Sequence, residues 1–433
     1  MTYTPADVIE VFAWDRLVGA VVLDPSTNVY AFEYDDPWIE HGVDLSPIHL
    51  PRRRGVFEFP ELARATFYGL PAMLADALPD RFGNALVDAW MAEQGIDSGR
   101  VTALDRLAYA SNRSMGALGF APPAGPSAAQ ISMVQLADLV TAARAQISGN
   151  LGDADVHDAL ASLISVGTSA GGARAKAVLA YNPATGQMRS GQVQAPEGYE
   201  QWLLKLDGVG GPVRAASDPF GESEDYGRIE YAYYLMATSA GLSMSPSQLL
   251  LEGPRAHFMT RRFDRGPRGE RFHLQTLCAL AHLDYNLART HSYSSYFLTA
   301  RSLGLGVSER QEMFRRVVFN VMAVNRDDHT KNVAFLLDEA GTWRLAPAYD
   351  VTHSFWSGGW TQQHQMSVNG QFSDISLDDL RALGDLHEVP GIESVLDHTL
   401  EVTTHWRDFA ATAGVREAST ERISQDMAIF RPR

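Results

Sequence analysis

The stretch VNRDDHTKNVAFLLDEAGTWRLAPAYD, Val324 to Asp350, decides the fold of this chain. It begins with a polar loop in which Asp327 and Asn332 are separated by four residues. An apolar run (VAFLL), a turn at residues 338–341 and a second apolar segment (WRLAP) follow, which is the pattern of a β-hairpin. The hairpin would return Asp350 to the neighbourhood of Asn332, so we expect two carboxylates and one side-chain amide at a single site.

This arrangement is typical of enzymes that transfer a phosphoryl group. Such a reaction needs metal ions that neutralise phosphate charge and a carboxylate that orients the attacking hydroxyl group. In kinases that carboxylate and a metal-binding asparagine share one loop, spaced Asp-x-x-x-x-Asn, with an arginine before the aspartate. Arg326, Asp327 and Asn332 have this pattern, and Asn325 takes the place of the usual histidine. The sequence therefore predicts catalysis by Asp327 and a Mg²⁺ ion shared by Asn332 and Asp350.

Two other interpretations of this stretch stay open. In the first, the loop is a polar surface turn and Asp350 caps a helix. In the second, Asp327, Asp328 and His329 are the ligands of a metallohydrolase, although three adjacent residues rarely all face one ion.

A glycine-rich loop, SVGTSAGGARAKA at residues 165–177, precedes this stretch. It has the Gly-x-x-x-x-Gly spacing of a P-loop, but Ala173 and Arg174 stand where that motif requires Lys and Ser or Thr. The backbone N–H groups of Gly171 and Gly172 can still approach a phosphate closely, because no side chain blocks them. A simple turn is the alternative interpretation.

Lys205 lies between leucines in the predicted strand QWLLKLDG. Burial of an unpaired lysine is costly, so its ammonium group is either solvated or paired with an anion. An ATP-binding lysine held by a glutamate of the next helix fits this position, and Glu230 is the candidate partner. The arginine-rich segment at residues 261–271, RRFDRGPRGER, is interpreted as a strand end and turn with solvated charges.

The order of patterns along the chain predicts an α+β protein. Strand patterns occupy residues 8–34 and recur between the linker-like segment APPAGPSAAQ and residue 265, whereas helical patterns dominate from about residue 274. Gly241 predicts the end of one helix, and Ser308 with Gln311 predicts a capping box at the start of another. We expect a two-lobed, protein-kinase-like fold with an N-terminal β-rich subdomain and a large helical C-terminal lobe. The predicted domain boundaries are 1–125, 131–265 (the lobe with the glycine-rich loop) and 266–433 (the helical lobe with the catalytic loop).

The composition limits the possible partners. Among 433 residues, 36 are Lys or Arg and 52 are Asp or Glu, so the net charge is −16 and nucleic-acid binding by the chain alone is not expected. The single cysteine, Cys278, indicates a reducing compartment. The N-terminus has no signal-peptide pattern and no apolar run reaches the length of a membrane span, so the sequence predicts a cytoplasmic protein without a membrane partner.

These residues together resemble the HipA family of bacterial serine/threonine kinase toxins over nearly the whole chain. The first 120 residues resemble the N-terminal subdomain of that family through SPIHLPRRRG, LADALPDRFGN and RSMGALGF. The serine-bearing glycine loop, LLKLDG, TRRFDR, NRDDHTKN and RLAPAYD then follow in the family's order.

The resemblance implies a role for each matching residue. Asp327 would be the catalytic aspartate, and Asn332 and Asp350 the Mg²⁺ ligands. Ser169 would be autophosphorylated, which adds about −1.5 to −2 charges beside the ATP phosphates and would switch the kinase off. The implied ATP-contacting residues are Ala170, Gly171, Gly172, Ala173, Arg174, Ala175, Lys176, Lys205, Arg261, Arg262, Phe263, His329, Thr330, Lys331, Asn332, Tyr349 and Asp350.

Several positions depart from the family pattern. Asp328 stands where the family usually has Gly, and Arg261 replaces a Glu. Residues 174–175 replace a common Gln-Glu pair, and residues 275–276 replace an acidic pair. The core ATP and Mg²⁺ residues are intact, so catalysis is still expected, and these departures concern the protein target and its regulation.

The resemblance also implies a substrate and a partner. Family members phosphorylate an aminoacyl-tRNA synthetase, of the glutamyl type, and so stop translation. A HipB-like, helix-turn-helix antitoxin is the implied partner, and DNA would be reached only through that complex. The alternative is a pseudokinase-like module that binds nucleotide and sequesters a partner without phosphoryl transfer.

Overall fold

The structure is a computed structural model that describes residues 6–79, 81–124, 175–191, 195–207, 225–253 and 255–430. The chain divides into two compact units. Unit 1 comprises Met1–Ser217, Met259–Gln275 and Leu336–Thr342, and unit 2 comprises Asp218–Phe258, Thr276–Phe335 and Trp343–Arg433. The linker after residue 124 and the glycine-rich loop up to Arg174 lie outside the described residues.

The described residues form fifteen strands and thirteen α-helices. The strands are β1 (Val8–Ala13), β2 (Arg16–Asp24), β3 (Val29–Tyr34), β4 (Val56–Phe57), β5 (Leu118–Ala121), β6 (Lys176–Tyr181), β7 (Met188–Ser190), β8 (Glu200–Lys205), β9 (Ser247–Glu252), β10 (Arg255–Arg261), β11 (His273–Thr276), β12 (His291–Ser292), β13 (Ala334–Leu337), β14 (Trp343–Leu345) and β15 (Met366–Ser367). The helices are α1 (Asp36–His41), α2 (Arg64–Phe67), α3 (Ala72–Ala75), α4 (Arg81–Glu93), α5 (Ala103–Ala110), α6 (Tyr226–Ser239), α7 (Leu277–Leu280), α8 (Tyr293–Ser302), α9 (Val307–Met322), α10 (Leu377–Leu386), α11 (Ile392–Thr404), α12 (Trp406–Ala413) and α13 (Glu417–Asp426).

Unit 1 begins with a five-stranded antiparallel sheet in the order β4-β3-β2-β1-β5. Alternate residues of β1 are buried, which is the period-two pattern of a sheet with one covered face. The turn between β1 and β2 is formed by Trp14 and Asp15, with φ of 49° and 59°. Two residues with positive φ match the right-handed twist of a hairpin, so the strands stay paired although neither residue is glycine.

A buried ion cluster links two distant parts of unit 1. The Asp264 carboxylate is fully buried and accepts hydrogen bonds from Arg262 (2.6 and 2.9 Å), from Arg265 (2.7 Å) and from the Gly116 N–H (2.7 Å). Burial alone would raise the pKa of Asp264, but the two guanidinium groups reverse that effect and hold it well below its usual range. The interpretation of 261–271 as wholly solvated is therefore wrong for Arg262 and Arg265, because this carboxylate compensates their burial.

Unit 2 is built around long helices. The ring of Tyr233 in α6 packs at a tilt of 60° against Trp406 of α12, with ring centroids 5.4 Å apart. The Tyr233 hydroxyl donates to the Ala323 carbonyl at 2.5 Å. The helix α6 ends before Gly241, whose φ is +84°, as the sequence predicted. The predicted N-cap of α9 was wrong: the helix begins at Val307 with Gly306 as its N-cap.

The carboxylate of Glu309 explains why α9 starts earlier than predicted. Glu309 accepts a hydrogen bond from the Gly306 N–H at 3.1 Å, so the first turn closes two residues before the position that Ser308 and Gln311 predict. The apolar face of α9 is buried as expected, through Phe314, Val317, Val318, Val321 and Met322. The predicted catalytic loop, residues 324–332, follows α9. The hairpin β13–β14 comes next and belongs to a three-stranded sheet of order β11-β13-β14.

The expected α+β, two-lobed kinase-like fold is confirmed. The division into two units differs from the three predicted segments, since α6 and β9 are grouped with the helices of unit 2. The boundaries near residues 125 and 265 stay predictions. Within the described ranges, none of the helices combines the length and apolarity that crossing a bilayer requires.

Candidate active site

The catalytic loop begins where α9 ends, and backbone contacts fix its start. Val324 has φ of 56° and accepts a hydrogen bond from the Ser354 N–H at 3.1 Å. The Arg326 N–H donates in turn to the Ser354 carbonyl at 3.1 Å. Asn325, at the place of the kinase histidine, is buried and its amide donates to Asn320 Oδ1 at 2.9 Å. The loop is therefore held both by α9 and by the segment that follows Asp350.

Asp327 and Asn332, the predicted pair, are hydrogen-bonded to each other within unit 2. The Asn332 side-chain amide donates to the Asp327 backbone carbonyl at 2.7 Å, and the Asn332 N–H donates to the His329 carbonyl at 2.8 Å. The second bond forms the 3₁₀ turn Thr330–Asn332. Because Nδ2 of Asn332 is used inside the loop, its Oδ1 is the atom that can act as an oxygen ligand.

The hairpin β13–β14 brings Tyr349 to the catalytic loop. Its hydroxyl donates to the Lys331 carbonyl at 2.6 Å, one residue before Asn332. The Ala346 N–H donates to the Ala334 carbonyl at 3.0 Å, which sets the register at the base of the hairpin. Asp350 follows with φ of 52°, a left-handed conformation that is uncommon outside glycine. The two predicted metal ligands thus belong to segments that a direct hydrogen bond joins.

Asp328 is a buried structural carboxylate. It accepts hydrogen bonds from the Tyr293 hydroxyl (2.6 Å), from His364 Nδ1 (2.8 Å) and from the Gln365 N–H (2.7 Å). Burial, followed by the Asp328 charge, raises the pKa of Tyr293 well above its usual range, so the hydroxyl stays a donor. These bonds point the Asp328 carboxylate into the protein, while its neighbour Asp327 stays half-buried.

The contacts of Asp327 and Asp328 do not support the metallohydrolase alternative. Among the described residues, no group of three or more His, Cys, Asp or Glu side chains is arranged to hold a metal ion. Asp328 and Asp327 use their carboxylates in different contacts, with Tyr293 and Trp360 respectively. Three adjacent ligands on one ion therefore do not form in this part of the chain.

The remaining residues of the loop pack on an aromatic ring. Lys331 Nζ lies 5.0 Å from the centroid of the Tyr285 ring, and the ring of His329 lies 5.2 Å from the same centroid. Thr330 is fully buried and its hydroxyl donates to the Leu283 carbonyl at 2.8 Å. These contacts orient the stretch that the sequence resemblance predicts to contact the nucleotide.

In unit 1, two predicted ATP-contacting lysines face each other across a strand pair. Lys176 of β6 and Lys205 of β8 are direct partners in the antiparallel register, so their side chains project from the same face of the sheet. Lys176 is 2% exposed. Ala175 is buried and its carbonyl accepts a hydrogen bond from the Leu206 N–H at 3.0 Å.

The segment Arg261–Phe263 follows β10 in unit 1. The Arg261 side chain is exposed and contacts Glu200 at 3.3 Å, while Arg262 donates to Asp264. The Arg262 backbone N–H donates to the Gln201 carbonyl at 2.9 Å. The guanidinium group of Arg262 is thus engaged in the ion cluster, and a contact from this segment to adenine would involve its other atoms.

Several predicted residues lie elsewhere or outside the described residues. Ser169, Ala170, Gly171, Gly172, Ala173 and Arg174 are outside the described ranges. Glu230 is buried in α6, which belongs to unit 2, whereas Lys205 belongs to unit 1. Their pairing therefore stays a prediction.

The order of these elements, sheets first and helices after, with a catalytic loop between α9 and β13, defines the class of the protein as kinase-like and two-lobed. The chain matches the family model described as HipA-like C-terminal domain at residues 168–430 and the one described as HipA N-terminal domain at residues 9–121. These matches cover more than half of the chain. The protein belongs to the HipA family.

Comparison with solved structures supports the fold. The chain is similar to the HipA chain in the complex of the Shewanella oneidensis MR-1 toxin–antitoxin proteins HipA and HipB with operator DNA, with a TM-score of 0.66 and 16% identity. That similarity covers 97% of this chain and 95% of the other, and at this identity it supports the fold alone. The Helicobacter pylori proinflammatory kinase CtkA aligns over 53% of this chain and 93% of its own, with 12% identity and a TM-score of 0.29.

One curated relative is also similar in sequence. It is the protein Y4dM of Sinorhizobium fredii, whose name describes it as a candidate kinase, and it is 28% identical over 153 residues. The aligned region spans 34% of this chain and 36% of that protein, so about a third of each is compared.

The residues that support the loop from distant positions in the chain were not predicted from the sequence. Tyr293 and His364 bind Asp328 from positions 35 and 36 residues away, and Trp360 contacts Asp327 from 33 residues away. No spacing rule connects them to the loop. The adjacent carboxylates of Asp327 and Asp328 were the signal in the sequence for such supporting residues, because two neighbouring aspartates seldom have the same role.

Proposed function

We propose that the protein is an ATP- and Mg²⁺-dependent serine/threonine protein kinase that acts as the toxin of a toxin–antitoxin pair. The observation that carries this proposal is the catalytic loop, in which Asp327 and Asn332 are joined by a 2.7 Å hydrogen bond beside Tyr349 and Asp350. Asp327 is half-buried and lies next to the 3₁₀ turn, so its carboxylate is accessible to a hydroxyl group of a protein substrate.

The proposed reaction has Asp327 as the proton acceptor. The hydroxyl oxygen of a serine or threonine attacks the γ-phosphorus of ATP, and a new P–O bond forms. The bond from that phosphorus to the β–γ bridging oxygen breaks, and its electron pair leaves with ADP. The hydroxyl proton passes to the Asp327 carboxylate.

The lysine pair supports nucleotide binding. Lys176 and Lys205 project from one face of the β6–β8 pair, so the triphosphate of an ATP bound at that face would meet two cationic side chains. The backbone of the glycine-rich loop would contribute further N–H donors, as the family resemblance implies.

The residues present fit a magnesium ion. Mg²⁺ binds through one or two protein oxygen ligands and completes its coordination with phosphate oxygens and water. Asn332 Oδ1 and the Asp350 carboxylate are such ligands, since Nδ2 of Asn332 is used within the loop. When bound, the ion would neutralise charge that develops on the transferred phosphoryl group.

The family resemblance supports a proposal for the target and the regulation. We propose an aminoacyl-tRNA synthetase of the glutamyl type as the phosphorylated protein and Ser169 as the site of autophosphorylation. Asp328 and the altered positions 174 and 261 are the features in which this chain departs from its family, and they are the places where target choice would differ.

A basic partner is expected for any role on DNA. The HipA protein of Shewanella oneidensis is present in a complex with HipB and operator DNA. A net charge of −16 disfavours direct phosphate contacts by this chain. We therefore propose a HipB-like, helix-turn-helix antitoxin as its cytoplasmic partner, which would supply the contacts to DNA.

The proposal is tested with labelled ATP and a bacterial lysate. The full chain with Mg²⁺ should transfer label to itself at Ser169 and to a synthetase, as mass spectrometry would identify. Asp327→Asn should reduce the rate about 10²- to 10⁴-fold, whereas the exposed control Asp378→Asn should not. Nucleotide binding without any labelled protein would instead establish the pseudokinase alternative.

A further inference from the structure

Trp360 contacts the carboxylate of the proposed catalytic base directly. Its indole N–H donates to Asp327 Oδ1 at 3.1 Å. Trp360 begins the short 3₁₀ turn Trp360–Gln362, within the segment between Asp350 and β15. Its side chain is exposed, so the apolar core does not require this tryptophan. The contact lies entirely within unit 2.

The backbone of this turn is tied to the catalytic loop on both sides of Asp327. The buried side-chain amide of Gln365 donates to the carbonyls of Arg326 (3.2 Å) and Trp360 (2.8 Å). The Gln365 N–H donates to Asp328 at 2.7 Å, and Arg326 donates through its guanidinium to the Gln362 carbonyl at 2.5 Å. The position of the indole is therefore set by the same residues that set the loop.

We propose that Trp360 is a positioning residue that orients the Asp327 carboxylate toward the acceptor hydroxyl group of the protein substrate. This inference rests on the proposed kinase function and goes beyond it, because it assigns a role outside the catalytic loop. The terminal torsion of an aspartate has a broad, two-fold energy profile, so an unrestrained carboxylate samples many orientations. A hydrogen bond at Oδ1 fixes that torsion and presents Oδ2 to the hydroxyl proton.

The chemistry of the indole suits this role. The indole nitrogen is a donor with no acceptor capacity, so it cannot take the proton that Asp327 must receive. It can hold one carboxylate oxygen while the other becomes protonated and releases its proton again. Correct orientation of reacting groups is a large part of catalysis, so the loss of this contact should lower kcat more than it changes binding.

The test compares two tryptophans of the same segment in the full chain. Trp360→Phe removes the N–H and keeps an aromatic ring, while Trp356→Phe changes an equally exposed side chain that packs over Gly359. We expect Trp360→Phe to lower kcat roughly tenfold with little change in the KM for ATP. Trp356→Phe should retain the wild-type kcat, and both variants should unfold at the wild-type temperature.

A spectroscopic measurement separates this inference from the proposed function. In ¹H–¹⁵N spectra the indole resonance of Trp360, identified by its loss in Trp360→Phe, should move upfield in Asp327→Ala, which lacks the acceptor, and stay in place in Asp378→Asn. An unmoved resonance, an unchanged kcat in Trp360→Phe, or an increase in that kcat would each refute the positioning role alone. Absence of phosphoryl transfer by the wild-type protein would refute the proposed function and the positioning role with it.

Discussion

At the scale of single residues, Asp327 and Asp328 show how adjacent, chemically identical side chains take different roles. Asp328 points into the protein, where a tyrosine hydroxyl, a histidine nitrogen and a backbone N–H surround it. Asp327 is half-buried and contacts an exposed indole. The Asp328 carboxylate is engaged inside the protein, and the Asp327 carboxylate is the one that we propose as the proton acceptor.

The Asp328 network should be a large source of stability. Asp328→Asn places an amide N–H among donors, and we expect it to lower the free energy of unfolding by about 3 kcal/mol. Tyr293→Phe removes one donor and should cost about 1–2 kcal/mol. Because the two groups share a 2.6 Å hydrogen bond, the double variant should cost less than the sum.

Urea denaturation of the two single variants and the double variant measures this coupling. Asp378→Asn, at an exposed position of α10, is the control and should change stability by less than about 0.5 kcal/mol. Strict additivity in the cycle would contradict the network.

A buried histidine predicts a specific response to pH. His273 Nε2 lies 3.0 Å from the Leu45 carbonyl in unit 1, and burial lowers the pKa of His273 to about 4. An unfolded histidine titrates near 6.5, so between about pH 6.5 and 4 only the unfolded chain binds this proton. Stability should therefore fall as the pH is lowered through that window, by up to about 3 kcal/mol from this group.

Urea midpoints between pH 7 and pH 4.5 measure this loss. His273→Gln keeps a donor for Leu45 and cannot titrate, so its stability should depend less steeply on pH in the same window. A variant that follows the wild-type pH dependence would show that other groups cause the loss.

At the scale of elements, the close approach of α6 and β10 depends on one glycine. A Cβ atom at Gly227, in the first turn of α6, would overlap the carbonyl oxygen of Ala256 in β10. Both residues belong to unit 2, so the helix and strand must separate to admit a methyl group. Overpacking of this kind typically costs about 1–3 kcal/mol.

Gly227→Ala should therefore lower the thermal midpoint of the protein, although alanine has the higher helix propensity. The exposed Ser239→Ala, at the other end of α6, is the matched control and should be nearly neutral. A stabilised Gly227→Ala protein would mean that propensity outweighs the steric conflict.

The elements themselves were largely predictable, and their exact ends less so. Alternating and spaced apolar residues located β1–β3 and the buried face of α9, because these patterns reflect one covered face. The predicted start of α9 was wrong because the Glu309 carboxylate, and not the Ser308–Gln311 pair, closes the first turn of the helix. Within the site, the Asp327–Asn332 spacing could be recognised because the two residues are close along the sequence. Tyr293 and Trp360 are distant along the sequence and contact the loop only in the folded chain.

At the scale of the whole molecule, ligand binding should be visible in thermal stability. A ligand at a hundred times its dissociation constant stabilises the folded state by about 2.7 kcal/mol. ATP with Mg²⁺ should therefore raise the unfolding temperature by several degrees. ATP with EDTA should raise it less, since the ion proposed to bind Asn332 and Asp350 would then be removed.

Differential scanning fluorimetry with ATP, Mg²⁺ and EDTA measures this difference. AMP is the control ligand, because it retains the adenosine and the α-phosphate and lacks the β- and γ-phosphates that the lysine pair would bind. Equal shifts with AMP and with ATP and Mg²⁺ would contradict the proposed phosphate site.

The facing lysines of β6 and β8 would also couple the proposed ligand to the stability of a sheet. Lys176 begins one strand and Lys205 ends the other, so both lie at the same end of the strand pair. A phosphate group bound to both lysines would hold the two strand ends together. Amide hydrogen exchange of Leu206, which donates to Ala175 next to this pair, would then slow as the nucleotide concentration rises.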